Sequence, residues 1–438
     1  MRFYVMTFGC QMNASDSEVV SGLLAGAGYD KAPHVEDADV VIVLTCSVRE
    51  SAESRVHGRL GALKALKARR PGMIIGVGGC MPQREGGARE IMGRHKHVDL
   101  VFGTHNLHDV ARLVEEARAG RTVEVLEDQE RPAFRNPLRQ EDLLAWVPIM
   151  HGCDNYCSYC IVPYVRGRPR SRPSEVIEAE VRSLVAGGCR EITLLGQNVN
   201  AYGHDLPGGE GFSRLLGRLD AIEGLWRIRY TTSHPRDFDL DMVKAVAASR
   251  AVCEHFHLPV QSGSDRVLTL MNRGYTRERY LDLAAAIRER IPGASITTDI
   301  IVGFPGETQE DFEDTLDLVK RVGFDSAFTF MFSPRSGTPA ATMEGQVPLE
   351  TRKSRLSRLI EMQKAITLER NLALVGKKVE VLVEGPSKKE PERLQGRTRT
   401  GRYVHFLGPP SWKGSLVGVV ITRAGLWSLD GERSEKQP

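Results

Sequence analysis

The sequence predicts an α/β protein in three parts: an N-terminal parallel βαβ domain, a central partial (β/α)6 barrel and a C-terminal small antiparallel β-barrel. Three observations predict it. Short apolar runs alternate with amphipathic helical patterns over the first 120 residues, and six further strand–helix units follow between 145 and 370. From 371 onward the helical period gives way to short strands split by Gly, Pro and Lys.

Composition bounds the classes of function. With 438 residues, 41% hydrophobic and 26% charged, the chain has room for two or three domains with their own cores, and disorder is excluded. No apolar run is long enough to span a bilayer, and the opening MRFYVMTFGC lacks the basic start, apolar middle and cleavage site of a secretory signal. A cytoplasmic protein with no membrane partner is expected. Thiols stay reduced there, so eight cysteines point to metal or redox chemistry more than to disulfides. The net charge of +3 does not choose a partner. From Asn371 on, however, twelve Lys or Arg stand against seven Asp or Glu, which leaves open a polyanion-binding module or a solvated basic surface.

In the first part, residues 1–120, MRFYVMTFGC, DVVIVLTC and MIIGVGGC each read as a buried parallel strand. SDSEVVSGLLAGAGY and VRESAESRVHGRLGALKALKAR read as the helices between them, the first capped by Ser15 or Asp16. Cys10, Cys46 and Cys80 each fall just after an apolar run. Because parallel strands place their C-terminal ends along one edge, these three cysteines are expected to converge there as a ligand set. Residues 121–144, charged and carrying Pro132 and Pro137, read as a linker.

In the second part, residues 145–370, the strand LLAWVPIM is followed by EITLLGQN, WRIRYTTS, EHFHLPVQS, ASITTDIIVGF and SAFTFMFSP, with helical patterns between. Six units are two short of a closed eight-stranded barrel, and chemistry is expected at the C-terminal strand ends. A long helix, LETRKSRLSRLIEMQKAITLERNLALVG, leads to the third part, 371–438, where KKVEVLVEG, YVHFLG, SLVGVVIT and GLWSLDG read as strands.

HGCDNYCSYC, directly after the first barrel strand, spaces Cys153, Cys157 and Cys160 as C-x3-C-x2-C with no fourth cysteine close behind. A structural zinc site is normally closed by four ligands, and a bacterial ferredoxin run needs a fourth cysteine followed by proline; neither pattern fits. Three thiolates on a 4Fe–4S cluster leave one iron open. The spacing resembles the radical S-adenosylmethionine (SAM) superfamily. Together with TFGCQMN, LTCSVRE, GGCMPQR, LLGQNVNAYG, TSHPRD, HLPVQSGS and DIIVGFPGET, it makes almost the whole chain similar to the radical SAM methylthiotransferase family, in its MiaB branch. Leu44 departs from the family, which usually has asparagine there.

The resemblance implies two 4Fe–4S clusters, one on Cys153, Cys157 and Cys160 that chelates SAM and one on Cys10, Cys46 and Cys80 that supplies sulfur. It implies a third part like the TRAM domain, which binds RNA in this family. The implied activity is methylthiolation at C2 of N6-isopentenyladenosine next to the anticodon of tRNA, by a monomer fed electrons by a donor such as flavodoxin or ferredoxin. Tyr159 is placed near the adenine of SAM, with GFPGET on the adenine side, and Gln197, Ser233, Gln261 and Arg273 stand where SAM could be hydrogen-bonded; a core tyrosine, a plain turn and loop ties are the competing readings. Arg166, Arg168, Arg170 and Arg172 form a basic loop for tRNA phosphates or solvent, while Arg397, Arg399, Arg402, Tyr403, His405 and Phe406 have the composition to hold phosphates and stack bases. Cys189 and Cys253 belong to no spaced set and read as structural thiols. The alternatives are a methylthiotransferase for a differently modified tRNA adenosine or a protein aspartate, and a non-catalytic iron–sulfur sensor that binds RNA.

Overall fold

The computed structural model describes residues 1–47, 50–127, 137–139 and 142–434. The first part is a six-stranded parallel sheet of β1 (Arg2–Thr7), β2 (Asp30–Lys31), β3 (Val40–Thr45), β4 (Ile74–Gly79), β5 (Leu100–Phe102) and β6 (Thr122–Glu124), in the order β2-β1-β3-β4-β5-β6. Buried at all six positions, β3 sends Val41 and Val43 into one apolar cluster and Val40, Ile42 and Leu44 into the other. A strand covered on both faces must be apolar throughout, which is why these runs are legible.

The short strands β2, β5 and β6 go beyond the expected βαβαβ pattern, since two or three residues carry no period to read. In particular β6 lies within the expected linker and pairs as an edge strand, Leu100 opposite Thr122. Much of the remaining linker, with Pro132, lies outside the described residues. The first helix starts at Gln11 with Cys10 as its N-cap, and Ser15 and Asp16 are buried inside it, so the expected cap is corrected. Asp16 is used instead by a buried arginine described below.

The second part is the expected open barrel. Its strands are β7 (Leu144–Pro148), then the hairpin β8 (Met150–His151) and β9 (Arg170–Ser171), then β10 (Glu191–Leu195), β11 (Arg227–Tyr230), β12 (His255–His257), β13 (Ser295–Val302) and β14 (Ser326–Met331). Two parallel three-stranded sheets, β11-β10-β7 and β12-β13-β14, meet at a seam that carries one bridge, Ile228 to Val252. Among the described residues nothing pairs β14 with β7, so the barrel is open there. The helix Leu349–Leu372 packs on β14, and in its last turn Asn371 Nδ2 donates to Gly425 O at 2.9 Å in the third part.

That third part is a closed barrel of β15 (Lys378–Pro386), β16 (Arg393–Thr398), β17 (Tyr403–Leu407), β18 (Leu416–Ala424) and β19 (Leu429–Arg433). It is antiparallel except where β17 and β19 close it in parallel. β16, absent from the sequence reading, hides in RLQGRT because its alternate buried positions are Leu394, Gly396 and Thr398, only one of them strongly apolar.

Arg397, Arg399 and Arg402 face the second part rather than solvent. Arg399 forks onto the Glu254 carboxylate at 2.7 to 3.0 Å and donates to Arg250 O and Val252 O. Arg402 pairs with Asp325, and Arg397 with Glu384. In return Arg227, with no exposed side-chain surface, donates to Arg397 O at 2.6 Å and pairs with Glu380 at 2.9 Å, while Arg229 donates to Thr398 O and Arg399 O. Burial pushes the Glu191 carboxyl up, but Arg229, Arg397 and Arg227 around it prevail and hold it below the usual range. Phe406 is buried in the barrel core. Of the expected RNA-facing set, then, the arginines and Phe406 build the interface and core, because a fork of donors satisfies strand-end carbonyls as well as it does phosphates.

Replacing Arg227 by Met should destabilise the protein by about 3–5 kcal/mol, since it leaves Glu380 and the strand carbonyls without their buried cation. Urea denaturation of the full chain tests this; a loss under about 1 kcal/mol would mean that the pair is dispensable.

Candidate functional site

β1, β3 and β4 are neighbours, and at their C-terminal ends stand Cys10 and Cys46 on loops and Cys80 at the start of the short helix Cys80–Gln83. The loops are tied to one another. Asn13 Nδ2 donates to Phe8 O at 3.0 Å and to Thr45 O at 2.8 Å, and Thr45 Oγ1 donates to Gly78 O at 2.8 Å. Gly9 has φ +139°, and a Cβ there would lie 2.6 Å from the Cβ of Cys46, so only glycine lets the first and second cysteine loops approach. Cys10 is exposed, whereas Cys46 and Cys80 are buried.

Cys153, Cys157 and Cys160 lie on the loop that leaves β8. Its start is fixed by Cys153 N–H donating to Gly167 O, and its middle by Ser158 N–H and Oγ–H donating to Met271 O and Leu270 O. Gly152 sits at φ +79°, where a Cβ would lie 2.0 Å from Arg168 O. Gly152 N–H donates to Gln197 Oε1 at 2.7 Å. Arg273 places Nη1 3.3 Å from Cys157 Sγ and 3.3 Å from the Tyr159 hydroxyl, and donates from Nη2 to Pro259 O at 2.6 Å.

All six cysteines line one cavity of about 1100 Å³, and so do Tyr159, Gln197, Ser233, Gln261 and Arg273. Five side chains that line it carry a buried polar atom with no hydrogen-bond partner: Arg166 Nη1, Ser233 Oγ, His234 Nε2, Gln261 Oε1 and Gln363 Oε1. Thr232 and Gln261 both hold φ of +70°, a strained conformation for such residues and one that gathers at binding sites. A ligand with polar groups would satisfy these atoms. GFPGET does not line the cavity. Its Glu307 accepts from Gly303 N–H and pairs with Arg355 at 2.6 Å, Thr308 caps the next helix, and Phe304 packs edge-on against Tyr159.

Sequence reasoning missed the floor of the cavity. His257 Nε2 lies 3.5 Å from Asp299, His257 Nδ1 lies 3.0 Å from Thr297 Oγ1, and that hydroxyl lies 3.3 Å from His255 Nε2. All four residues line the cavity with Trp427 and Tyr403 of the third part. The signal was there: HFH and TTD put polar side chains at alternate positions of strands that also carry the core. Trp427, 81% exposed, is an aromatic ring with no core to serve. The predicted basic loop divides: Arg166 and Arg172 are buried, Arg172 pairing with Glu180 at 2.7 Å, and only Arg168 is exposed. Cys189 and Cys253 are buried away from the cavity.

The thiols differ in acidity. A hydrogen bond with Cys46 and the Arg166 charge pull the Cys10 thiol down to about 6. Burial pushes Cys153 up to about 11 and Cys160 up to about 12, and also raises Cys80. His234, driven down to about 2 by burial and by Arg273 and Arg236, stays neutral. Among the described residues no three His, Cys, Asp or Glu side chains converge to hold one metal ion. Three thiols on a 4Fe–4S cube bind three different irons and need not converge, so the donor sets suit a cluster better than a zinc ion. No helix of the described residues is long and apolar enough to cross a membrane.

Residues 147–319 match the Radical SAM superfamily, 2–103 match Uncharacterized protein family UPF0004, and 372–433 match the TRAM domain. Relatives named tRNA-2-methylthio-N(6)-dimethylallyladenosine synthase are 54% identical in Moorella thermoacetica and 51% in Carboxydothermus hydrogenoformans, each alignment covering 98% of both chains. Among solved structures, the radical SAM methyltransferase TsrM from Kitasatospora setae superposes with a TM-score of 0.56 at 14% identity, over 78% of this chain and 75% of that one. The cobalamin-dependent SAM radical enzyme OxsB gives 0.52 at 13% identity, over 83% of this chain and 56% of that one. These two likenesses are of fold.

In metal-free protein, alkylation by iodoacetamide should reach Cys10 first. Its rate should be near its plateau at pH 7 and fall about tenfold per unit below pH 6, as the thiolate protonates. Cys153 and Cys160 should react slowly at pH 7 and speed up as pH rises toward 11 and 12. Peptide mass spectrometry reads each rate, and equal labelling of Cys10 and Cys153 at pH 7 would contradict the assignment.

Proposed function

The chain belongs to the family of tRNA-2-methylthio-N(6)-dimethylallyladenosine synthases, and we propose that it methylthiolates C2 of N6-isopentenyladenosine beside the anticodon of tRNA, giving 2-methylthio-N6-isopentenyladenosine. One observation carries the reading: both sets of three thiols, each at C-terminal strand ends, line one cavity. Cys153, Cys157 and Cys160 hold a 4Fe–4S cluster with SAM, and Cys10, Cys46 and Cys80 hold a second; when bound, these groups supply a carbon-centred radical, the sulfur and the methyl group.

The chain's own residues bind and orient. Gln197 and Arg273 brace the Cys153–Cys160 loop from two sides, and Tyr159 closes it against Phe304. Ser233, His234 and Gln261 offer their unpartnered polar atoms to SAM. Asp299 is an acceptor for the N6–H of the adenine, with His257 beside it. Trp427 and Tyr403 give exposed rings on which an RNA base can stack, and the surplus of Lys and Arg in the third part favours the phosphate backbone. The protein works in the cytoplasm as a monomer, with electrons from a flavodoxin- or ferredoxin-type donor.

Replacing Cys10, Cys46 and Cys80 together by Ala should halve the bound iron, from about eight to about four per chain, keep SAM cleavage and abolish methylthiolation. Loss of cleavage as well would end this division of labour. Mass analysis of tRNA nucleosides from cells lacking the protein should show the 2-methylthio derivative missing; its persistence would favour a differently modified adenosine or a protein aspartate. Absence of SAM cleavage by the reduced wild-type protein would favour the sensor. Asp299→Ala should raise KM for tRNA by about 10- to 100-fold, the worth of a hydrogen bond to a charged group, and leave SAM cleavage without tRNA unchanged; steady-state kinetics with an unaltered KM would remove Asp299 from the base-binding set.

A further inference from the structure

The helix Val162–Arg166 begins two residues after Cys160 and ends in an arginine that reaches into the N-terminal sheet domain. The Arg166 side chain is 3% exposed. Its Nη2 donates to Asn13 Oδ1 at 2.9 Å and to Asp16 Oδ2 at 2.7 Å, both on the helix that Cys10 caps. Through its other end, Asn13 Nδ2, the same amide holds the Phe8 and Thr45 carbonyls of the first two cysteine loops. Arg166 Nη1 is buried with no hydrogen-bond partner. The guanidinium lies near enough to Cys80 and Cys10 to favour both thiolates, and it lines the cavity.

A buried cation keeps an unpaired donor at a free-energy cost unless an acceptor arrives. Asp16 balances the charge but leaves Nη1 without a partner. The acceptor that fits is sulfur carried by the neighbouring thiols. Resting on the reading that Cys10, Cys46 and Cys80 hold a second cluster, we infer that Arg166 is a positioning residue for it: Nη1 donates a hydrogen bond to a sulfur of that group, and the guanidinium charge raises its reduction potential. Hydrogen bonds to sulfur and net charge are the levers by which a protein sets such potentials. A residue of the SAM-binding domain thereby tunes the group held by the other domain.

The test uses the full chain carrying Cys153→Ala, Cys157→Ala and Cys160→Ala, reconstituted with iron and sulfide so that only the second cluster titrates. Its midpoint potential, followed by electron paramagnetic resonance, is compared with that of the same chain carrying Arg166→Gln or Arg166→Lys. Arg166→Gln should lower the potential by about 59 mV or more, a tenfold change in the reduced-to-oxidised ratio of a one-electron couple, and Arg166→Lys by less. An unchanged potential at full iron content in the glutamine variant overturns the inference. Should that variant fail to keep its iron, the lysine variant decides: a lower potential supports the inference and an unchanged one overturns it. A parent chain that binds no iron overturns the cluster reading itself and the inference with it, so the two failures are told apart.

Discussion

Parallel strands deliver their C-terminal ends to one edge, and the architecture follows from using that constraint twice. The N-terminal sheet sets three cysteines at the ends of β1, β3 and β4; the open barrel sends its cysteine loop off the hairpin that follows β7. Both edges must open into one space for the six thiols to share a cavity, which fixes how the two sheets sit against each other. Arg166 with Asp16 and Asn13 is one buried contact between them, beside the hydrogen bond from Thr104 Oγ1 to Val165 O and the packing of Cys80 on Ile161 and Val165. The same contact leaves Asp16 unavailable as a helix cap, and the helix begins at Gln11 instead.

Several charges are spent inside this molecule, at Asp16, Arg166, Glu191, Arg227 and Arg229. The arginines that a composition argument assigns to an RNA face are turned inward, where strand ends expose carbonyls and a few carboxylates lie among them. A surface read from charge counts alone therefore misplaces the contacts. Trp427 and Tyr403 stay outward on the third part, as does Arg423.

Legibility followed burial. Strands such as β3, covered on both faces, announce themselves as unbroken apolar runs, and β10 and β11 are almost as fully buried. The cysteine spacing was legible because ligands on one loop must be close in sequence, and the Cys10, Cys46 and Cys80 set because the strands repeat. Strands of two or three residues, and β16 with Gly396 and Thr398 among its inward positions, left no period to find. Arg166 was visible as a basic residue, but its direction was not: whether a cation meets solvent or a buried carboxylate depends on a partner 150 residues away. The histidine and aspartate line on the barrel floor lies on the polar positions of strands whose apolar positions alone mark them as strands.

One backbone bridge, Ile228 to Val252, joins the two barrel sheets, and across it Arg399 grips Arg250, Val252 and Glu254 while Arg227 and Arg229 reach back to the segment that holds Arg399. The last domain is thus a clasp on the wall of the reaction chamber, and it is not a detachable adaptor. Cutting it away would let the chamber spread, so a truncated protein that lost activity would say little about RNA.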